Sequence, residues 1–489
     1  MTTTGFAEIT PEASRKALHE AVEGLWERDP DASARVAFVR WQKVVAAMLT
    51  LVVIAGLVIF TRFSVQALCL ACTAVYLVTM IDRTVIFRRG LDGKAIVRIS
   101  DEEALALTDD ELPFYTVLVP AYNEPEVVGR LLAAMSALVY PPEKLEVQLL
   151  LEADDEVTIE AARREANDPR IRTILVPAAD PRTKPKACNY GLEFAVGEIV
   201  TIYDAEDKPE PLQLRRVVAA FNKLSSDVAC VQAKLSFHNS RQNLLTAWFT
   251  AEYGLWFGYL LPGLMDSRSP IPLGGTSNHL RRDVLDEVGA WDPFNVTEDA
   301  DLGMRIAGGG YRTAVLDSVT IEEANSDMIN WVRQRSRWYK GYLQTYLVHM
   351  RHPARLFGQL GLRSFARFNL LMAGTPIVAL LNMAFWFITL LWILGQPSQI
   401  STAFPPVTYY SALICIVIGN AATLYMNIVG ARATGDSHLL WACLTVPLYW
   451  VMMGIASTKG CWQLITKPSY WEKTFHGLDA VEDEAVEEA

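Results

Sequence analysis

The chain has 489 residues, of which 51% are hydrophobic, and a formal net charge of −11. That charge excludes the broad electrostatic attraction that a nucleic-acid partner needs, and seven scattered cysteines exclude a disulfide framework. The apolar residues gather in a few long blocks, as in a chain integral to a membrane.

Residues 1–43 are charged and helix-like, and Thr10-Pro11-Glu12 marks a helix start. They read as a cytosolic segment. No secretory signal is expected ahead of the first apolar block, which begins late and lacks a small-residue cleavage site. Two apolar runs follow, Val44–Phe60 and Phe63–Ile81. As helices they would be about 26–29 Å long, which matches the hydrocarbon layer, so residues 44–82 are predicted to form a membrane hairpin. Cys69 and Cys72 form a CxxC inside the second run, but no second pair or histidine accompanies them, and they read as packing residues. Arg35, Arg40 and Lys43 precede the hairpin, and Arg83, Arg88, Arg89, Lys94 and Arg98 follow it, while the turn holds only Arg62. By the positive-inside rule both flanks are cytosolic.

Residues 100–343 have ordinary soluble character. Apolar runs of strand length ("YTVLVP", "LEVQLLL", "TILVP", "EIVTIY", "VACVQA") alternate with helical stretches, which predicts a parallel α/β sheet. Ligands of such sheets bind beyond the carboxyl ends of the strands. Polar residues stand there: Tyr122-Asn123-Glu124, then Glu152, Asp154 and Asp155, then Asp204, Glu206 and Asp207. Three carboxylates within "DAED" suit a hard divalent ion such as Mg²⁺ or Mn²⁺, although acidic turns after strands are common. Gly274 and Gly275 would let backbone approach a ligand closely. Glu298, Asp299 and Asp301 open a helical pattern behind Thr297, a predicted N-cap, and taken alone they read as capping chemistry.

Next comes "QRSRW", Gln334 to Trp338, just ahead of the second apolar region. Arg and Trp at such a place can be interfacial anchors. Residues 350–368 are predicted to form an interfacial helix, with Leu356, Phe357, Leu360, Phe365 and Phe368 among Arg351, Arg355, Arg363 and Arg367. A buried amphipathic helix is the alternative. Residues 369–465 form a C-terminal membrane region with apolar blocks at about 369–394, 407–429 and 439–455. Three crossings would put the C-terminus outside, against Lys459, Lys467 and Lys473. The last block therefore re-enters, breaking near Pro447 or Gly454, or hides a further crossing. Trp386, Trp392, Trp441, Tyr449 and Trp450 could line a path, though aromatics facing lipid are commoner. Residues 466–489 end in an acidic, solvated tail.

The ordered set "PAYNE", "LLLEADD", "KPKACNYGL", "YDAED", "TED" and "QRSRW" resembles the membrane-integrated family 2 glycosyltransferases, which include cellulose, chitin and hyaluronan synthases. The resemblance covers roughly Tyr115 to Leu343 and the flanking spans. It implies a glycosyltransferase A-type α/β domain that is cytosolic and flanked by transmembrane helices, with sugar transferred from a nucleotide-diphosphate sugar with inversion. It further implies that Glu124 and either Glu152 or Asp154 contact the nucleoside, and that Lys186 is the basic residue near the donor. Asp204 would open the metal-binding motif, with Glu206 where an Asp is usual and Asp207 adjacent. Asp299, beside Glu298, would be the general base. Arg337 would hold phosphate through a two-pronged contact, Trp338 would offer a flat platform to a sugar ring, and Gln334 would bond hydroxyls. Trp471, Lys473 and Thr474 stand where relatives carry a loop that closes over the donor, and an interfacial Trp-Lys belt is the plainer reading. The implied partners are a nucleotide-sugar donor with UDP expected, a glycan acceptor and the lipid bilayer, with Mg²⁺ or Mn²⁺ as cofactor, no nucleic acid, and room for an accessory subunit. The expected activity is processive polysaccharide synthesis at the plasma membrane. Transfer of one sugar to a lipid is the alternative, and a transporter with an inactive α/β domain would lack these side chains.

Overall fold

A computed structural model describes residues 5–165 and 168–472. Lys473, Thr474 and the acidic tail lie outside the described residues. Among the described residues eight strands form one sheet: β1 (Tyr115–Ala121), β2 (Leu145–Glu152), β3 (Ile171–Val176), β4 (Ile199–Ile202), β5 (Lys208–Pro209), β6 (Val228–Phe237), β7 (Asn278–Arg281) and β8 (Arg312–Glu322). Their order is β3-β2-β1-β4-β7-β6-β8-β5. The first four are parallel, as the repeated strand-then-helix pattern predicts, and β6 and β8 are parallel to each other. β7 runs antiparallel to both β4 and β6. This departs from an all-parallel sheet because the chain re-enters from the carboxyl edge, where Ser277 N donates to Ile202 O at 2.9 Å. Gly274 and Gly275 are thereby placed beside the end of β4.

Helices cover both faces, so β1, β2 and β4 are almost wholly buried and read as continuous apolar runs. One face packs against helices Val128–Ser136, Glu156–Glu165 and Gln213–Lys223. The other packs against Lys184–Leu192, Arg282–Glu287 and Glu298–Gly308. Ile86 and Phe87 of the long helix Thr61–Gly90, and Met426 of a later one, belong to the same buried cluster as Leu118 and Val200 of the sheet. The contact is close: a Cβ on Gly90 would lie 1.9 Å from Tyr259 O, and one on Gly263 would lie 2.0 Å from Ile86 O.

At the N-terminus, Thr10 accepts from Ala13 N and caps helix Pro11–Arg28. Among the described residues four helices are long and apolar enough to cross a membrane: Arg40–Ile59, Thr61–Gly90, Pro353–Gly395 (interrupted at Gly361, φ 69°) and Pro406–Ala433. The block from Leu439 onward behaves differently. It breaks between helix Leu439–Leu444 and helix Val446–Thr466, just ahead of Pro447, and both its ends return to the α/β domain. Before it, Asp436 accepts from Ser240 Oγ and Arg241; after it, Lys340 Nζ donates to Tyr470 O at 2.6 Å.

The stretch expected to be an interfacial helix is helical over Pro353–Phe368, and two of its four arginines serve inside the protein. Arg351 donates to the carbonyls of Pro30, Asp31, Ser33 and Val36, which fastens the N-terminal segment, and Arg367 pairs with Asp82 at 3.1 Å.

Candidate active site

The carboxyl ends of β4 and β8 bring four acids together. Asp204 and Glu206 follow β4 and face a cavity of about 390 Å³. Asp207 is buried and does not line it. One Asp207 oxygen closes the turn by accepting from Asp204 N at 2.6 Å and from Thr276 Oγ1, and its other oxygen has no partner among the described residues. Glu322, the last residue of β8, completes the group, and its Oε1 is likewise buried without a partner. Burial, and after it the facing Asp204 and Glu206, hold the Asp207 carboxyl well above its ordinary range; burial and the same acids do so for Glu322. Among the described residues, no group of three or more His, Cys, Asp or Glu is arranged to hold a metal ion.

Lys184 is the cation of this cluster. It opens helix Lys184–Leu192, pairs with Asp204 and donates to Gly275 O at 2.7 Å. Burial works against its charge, but Asp204 and Glu298 outweigh that and raise its pKa. Lys186, two residues on, points elsewhere. It is fully buried against Glu152, with Nζ–O distances of 2.7 and 2.8 Å. Asp154 is exposed and pairs with Arg182 at 2.6 Å, and the amide of Glu124 donates to Thr158 Oγ1 at 3.1 Å. Glu124, Glu152, Asp154 and Lys186 therefore stand together beyond β1 and β2, beside the cavity rather than in its wall.

Glu298 and Asp299 begin helix Glu298–Gly308 and line the cavity. Thr297 holds the N-cap position, yet its side chain caps nothing: it is pressed against Gly341 of the neighbouring helix, where a Cβ would lie 2.3 Å from Thr297 Oγ1. The Asp299 Oδ1 accepts from Ala300 N at 2.7 Å, while Oδ2 stands over bare Gly275, 3.5 Å from where a Cβ would be. Burial followed by the adjacent Asp299 pushes the Glu298 carboxyl up to about 8, and burial raises Asp299 as well. Both carboxyls of the pair are thus held above their ordinary range, which favours one of them as a proton acceptor over the usual weak carboxylate base.

Helix Met328–His349, capped by Asp327 onto Asn330 N at 2.7 Å, carries "QRSRW" along the cavity. Its two arginines divide the work. Arg335 is consumed by a two-pronged pair with Glu252 at 2.9 and 2.7 Å, and it lies 4.5 Å from the Trp338 ring centroid. Among the described residues Arg337 makes only a 3.5 Å contact to Val296 O, and its Nε is buried without a partner. Its guanidinium carbon sits 4.4 Å from the Trp471 ring centroid. Burial disfavours its charge, although Glu298, Asp299 and Asp204 oppose that. Gln334 accepts from Asn325 Nδ2 at 2.9 Å. Lys184, Glu322 and Glu252 were not singled out from the sequence; Glu322 could have been, since an acid ending a strand-length run was the signal used at the other strands.

Residues 113–341 match the family described as "Glycosyltransferase like family 2", so the chain carries a family 2 glycosyltransferase domain. Similar curated proteins include a probable glycosyltransferase, YdaM, of Bacillus subtilis (28% identical over 47% of this chain and 56% of that protein). Another is a beta-monoglucosyldiacylglycerol synthase of Synechocystis (26%, covering 60% of this chain and 63% of that one). A third is a probable glucomannan 4-beta-mannosyltransferase of Arabidopsis thaliana (26%, covering 53% and 58%). The chain thus spans little more than half the length of these relatives. Among solved structures, a mannosyltransferase from Pyrobaculum calidifontis, in complex with GDP-Man and Mn²⁺, superposes with a TM-score of 0.51 at 21% identity, covering 82% of this chain and 99% of that one. The likeness shows a glycosyltransferase A-like α/β fold.

Proposed function

We propose that the protein transfers a sugar, with inversion, from a nucleotide-diphosphate sugar to the end of a growing glycan. Its catalytic domain would face the cytosol, and the glycan would leave between its own membrane helices. One observation carries this reading. The cavity that holds Asp204, Glu206, Glu298, Asp299, Arg337 and Trp338 continues among the apolar helices, where Tyr76, Asn382, Asn420, Tyr449 and Trp450 line it. Polar and aromatic groups inside membrane segments are costly unless they serve a path. The return of helix Val446–Thr466 to the domain supports four crossings, with both flanks of the catalytic domain on the cytosolic side.

In this reading Asp154 and Glu124 hold the nucleoside, and Arg337 grips the diphosphate with Lys184. A divalent ion fits Asp204 and Glu206, because two carboxylates plus diphosphate oxygens suffice for Mg²⁺ or Mn²⁺ and Lys184 brings a single positive charge to a cluster of four acids. Bound there, it would stabilise charge on the leaving diphosphate. Asp299 takes the proton from the acceptor hydroxyl as that oxygen attacks the anomeric carbon opposite the leaving group. Trp338 carries the acceptor ring, and Gln334 bonds its hydroxyls.

Apolar walls at Leu260, Leu264, Leu371 and Met426, together with the lipid glucosyltransferase relatives, favour a second reading in which a membrane lipid is the acceptor. The test is purified protein in lipid nanodiscs given radiolabelled UDP-glucose, UDP-N-acetylglucosamine or GDP-mannose with Mg²⁺ or Mn²⁺, and Asp299→Asn as control. Label in high-mass polymer is expected, whereas label confined to extractable lipid would replace the first reading with the second.

A further inference from the structure

Helix Thr61–Gly90 enters the cavity wall with two ionisable residues, Asp82 and Arg83, whose situations differ. Asp82 accepts from Arg367 Nε at 3.1 Å, and Arg367 is held in turn by Ser269 Oγ at 2.7 Å. Arg83 is accessible and lines the cavity, yet it makes no hydrogen bond or ion pair among the described residues. Glu252, on the same wall, cannot serve it. Arg335 occupies both Glu252 oxygens, and Tyr449 donates to one of them at 2.7 Å. Asp82 is matched by Arg367, and the single carboxylate of Glu252 is bonded by Arg335 while it also faces Arg83, so this part of the cavity carries one more positive charge than negative.

An ionisable side chain on a membrane helix that faces an internal space and lacks a partner marks a substrate path. A guanidinium is weakly hydrated and offers a planar fork matched to a carboxylate or phosphate. Its position narrows the choice. Arg83 shares its wall with Tyr76 and with Glu252, the carboxylate bonded by Arg335. The Arg335 guanidinium lies 4.5 Å from the Trp338 ring centroid, so Arg83 belongs to the part of the cavity on the acceptor platform's side. Thr79, one helical turn before Arg83, lines the same cavity, whose wall also includes Tyr253, Trp256 and Asn427, side chains of the kinds that suit sugar rings.

Resting on the chain-extension reading, we propose that Arg83 is an acceptor subsite for an acidic sugar. It pairs with the carboxylate of a uronic acid unit behind the sugar whose hydroxyl faces Asp299. The polymer made or extended here then carries carboxylates.

The test is equilibrium binding, without donor, to the full chain in phosphatidylcholine nanodiscs. The probes are a fluorescently end-labelled tetrasaccharide of β-linked glucuronate and the glucose tetrasaccharide of the same linkage. The acidic probe is expected to bind at least about tenfold more tightly, the scale of one charge-assisted contact. Arg83→Gln should erase that preference without weakening the neutral probe, and Arg83→Lys should keep part of it. Equal binding of both probes, or an equal loss of both in Arg83→Gln, would overturn the proposal. So would short-chain phosphatidate as the one ligand whose binding depends on Arg83. Binding of neither glycan would remove the chain-extension reading and the subsite with it. Arg83-dependent binding of the acidic probe without polymer formation in the transfer assay would leave the subsite standing and remove the reading alone.

Discussion

The indole of Trp471 lies over the guanidinium of Arg337, 4.4 Å from the ring centroid to the guanidinium carbon. Residues near the end of the described chain thus touch the group assigned to the donor diphosphate. The segment is held there by bonds from Lys340 to Tyr470 O and from Gln344 to Pro468 O at 2.6 and 3.0 Å. A stacked guanidinium keeps its edges free for phosphate. Trp471→Ala should weaken nucleoside diphosphate binding by roughly 2- to 30-fold, the scale of a cation–π contact, and Trp471→Phe by less. Calorimetric titration of UDP and GDP in turn would measure it.

Asp299→Asn should lower transfer by about 10²- to 10⁴-fold while leaving donor binding within a factor of two or so, because a general base acts on the acceptor proton alone. Since the Asp299 carboxyl is raised by burial, the wild-type rate should begin to fall, as pH is lowered, before the ordinary carboxylate range is reached. A pH–rate profile flat down to the ordinary carboxylate range would contradict the assignment.

The two lysines of "KPKAC" should fail in different ways. Lys186 is sealed against Glu152, so Lys186→Met strands a buried carboxylate and should cost about 3–5 kcal/mol of stability. Lys184 faces the cavity, and Lys184→Met should lower transfer with little change in thermal midpoint. Thermal unfolding and transfer assays on both variants separate the roles, and the opposite pattern would exchange them.

Crowded acids also set a pH dependence of stability. Glu298, raised to about 8, binds a proton in the folded state over a range where the unfolded chain, near pKa 4.3, has lost it. Asp207 and Glu322 act in the same direction. Their contribution is therefore full below about pH 4 and declines as pH rises toward 8. The thermal midpoint of metal-free protein should fall from pH 5 to pH 8, and Glu298→Gln should flatten the fall. Mn²⁺ should raise the midpoint more at pH 8 than at pH 5, because binding competes with protons. No response to Mn²⁺ at either pH would remove the metal from Asp204 and Glu206.

Gly90→Ala should be poorly tolerated, since its Cβ would sit 1.9 Å from a main-chain oxygen that no side-chain rotation can move. Overpacking of this kind costs about 1–3 kcal/mol, so a lowered thermal midpoint is the expected result, checked by unfolding in nanodiscs.

Much of this was legible in the sequence because it follows from periodicity and composition. The strand runs, the acids that end them and the helix start at Thr10 are local patterns, and the structure shows each of them. What was not legible depends on direction or on distant partners. Lys184 and Lys186 lie two residues apart on one helix, so they face different ways, and nothing in "KPKAC" says which one meets Asp204. The same holds for Arg335 and Arg337, whose difference is made by Glu252, some eighty positions earlier. Thr297 has the composition of an N-cap but is turned aside by the closeness of Gly341. The antiparallel β7 has no local mark at all, because its direction is set by where the preceding helices leave the chain. Arg351 looks like an interfacial cation until the carbonyls it binds, more than three hundred residues away, are known.

Ile86 and Phe87 lie in one buried cluster with Leu118 and Val200 of the sheet. The second of the two apolar helices is consequently part of the wall of the α/β domain, and in the proposed membrane reading it would be an anchor as well. A fragment cut near residue 100 would open that wall to water and should aggregate instead of behaving as a free catalytic module. The same sharing bears on biogenesis: the interior cannot close until the second helix has taken its place. In the proposed membrane reading, a chain whose hairpin failed to insert would lack a finished site.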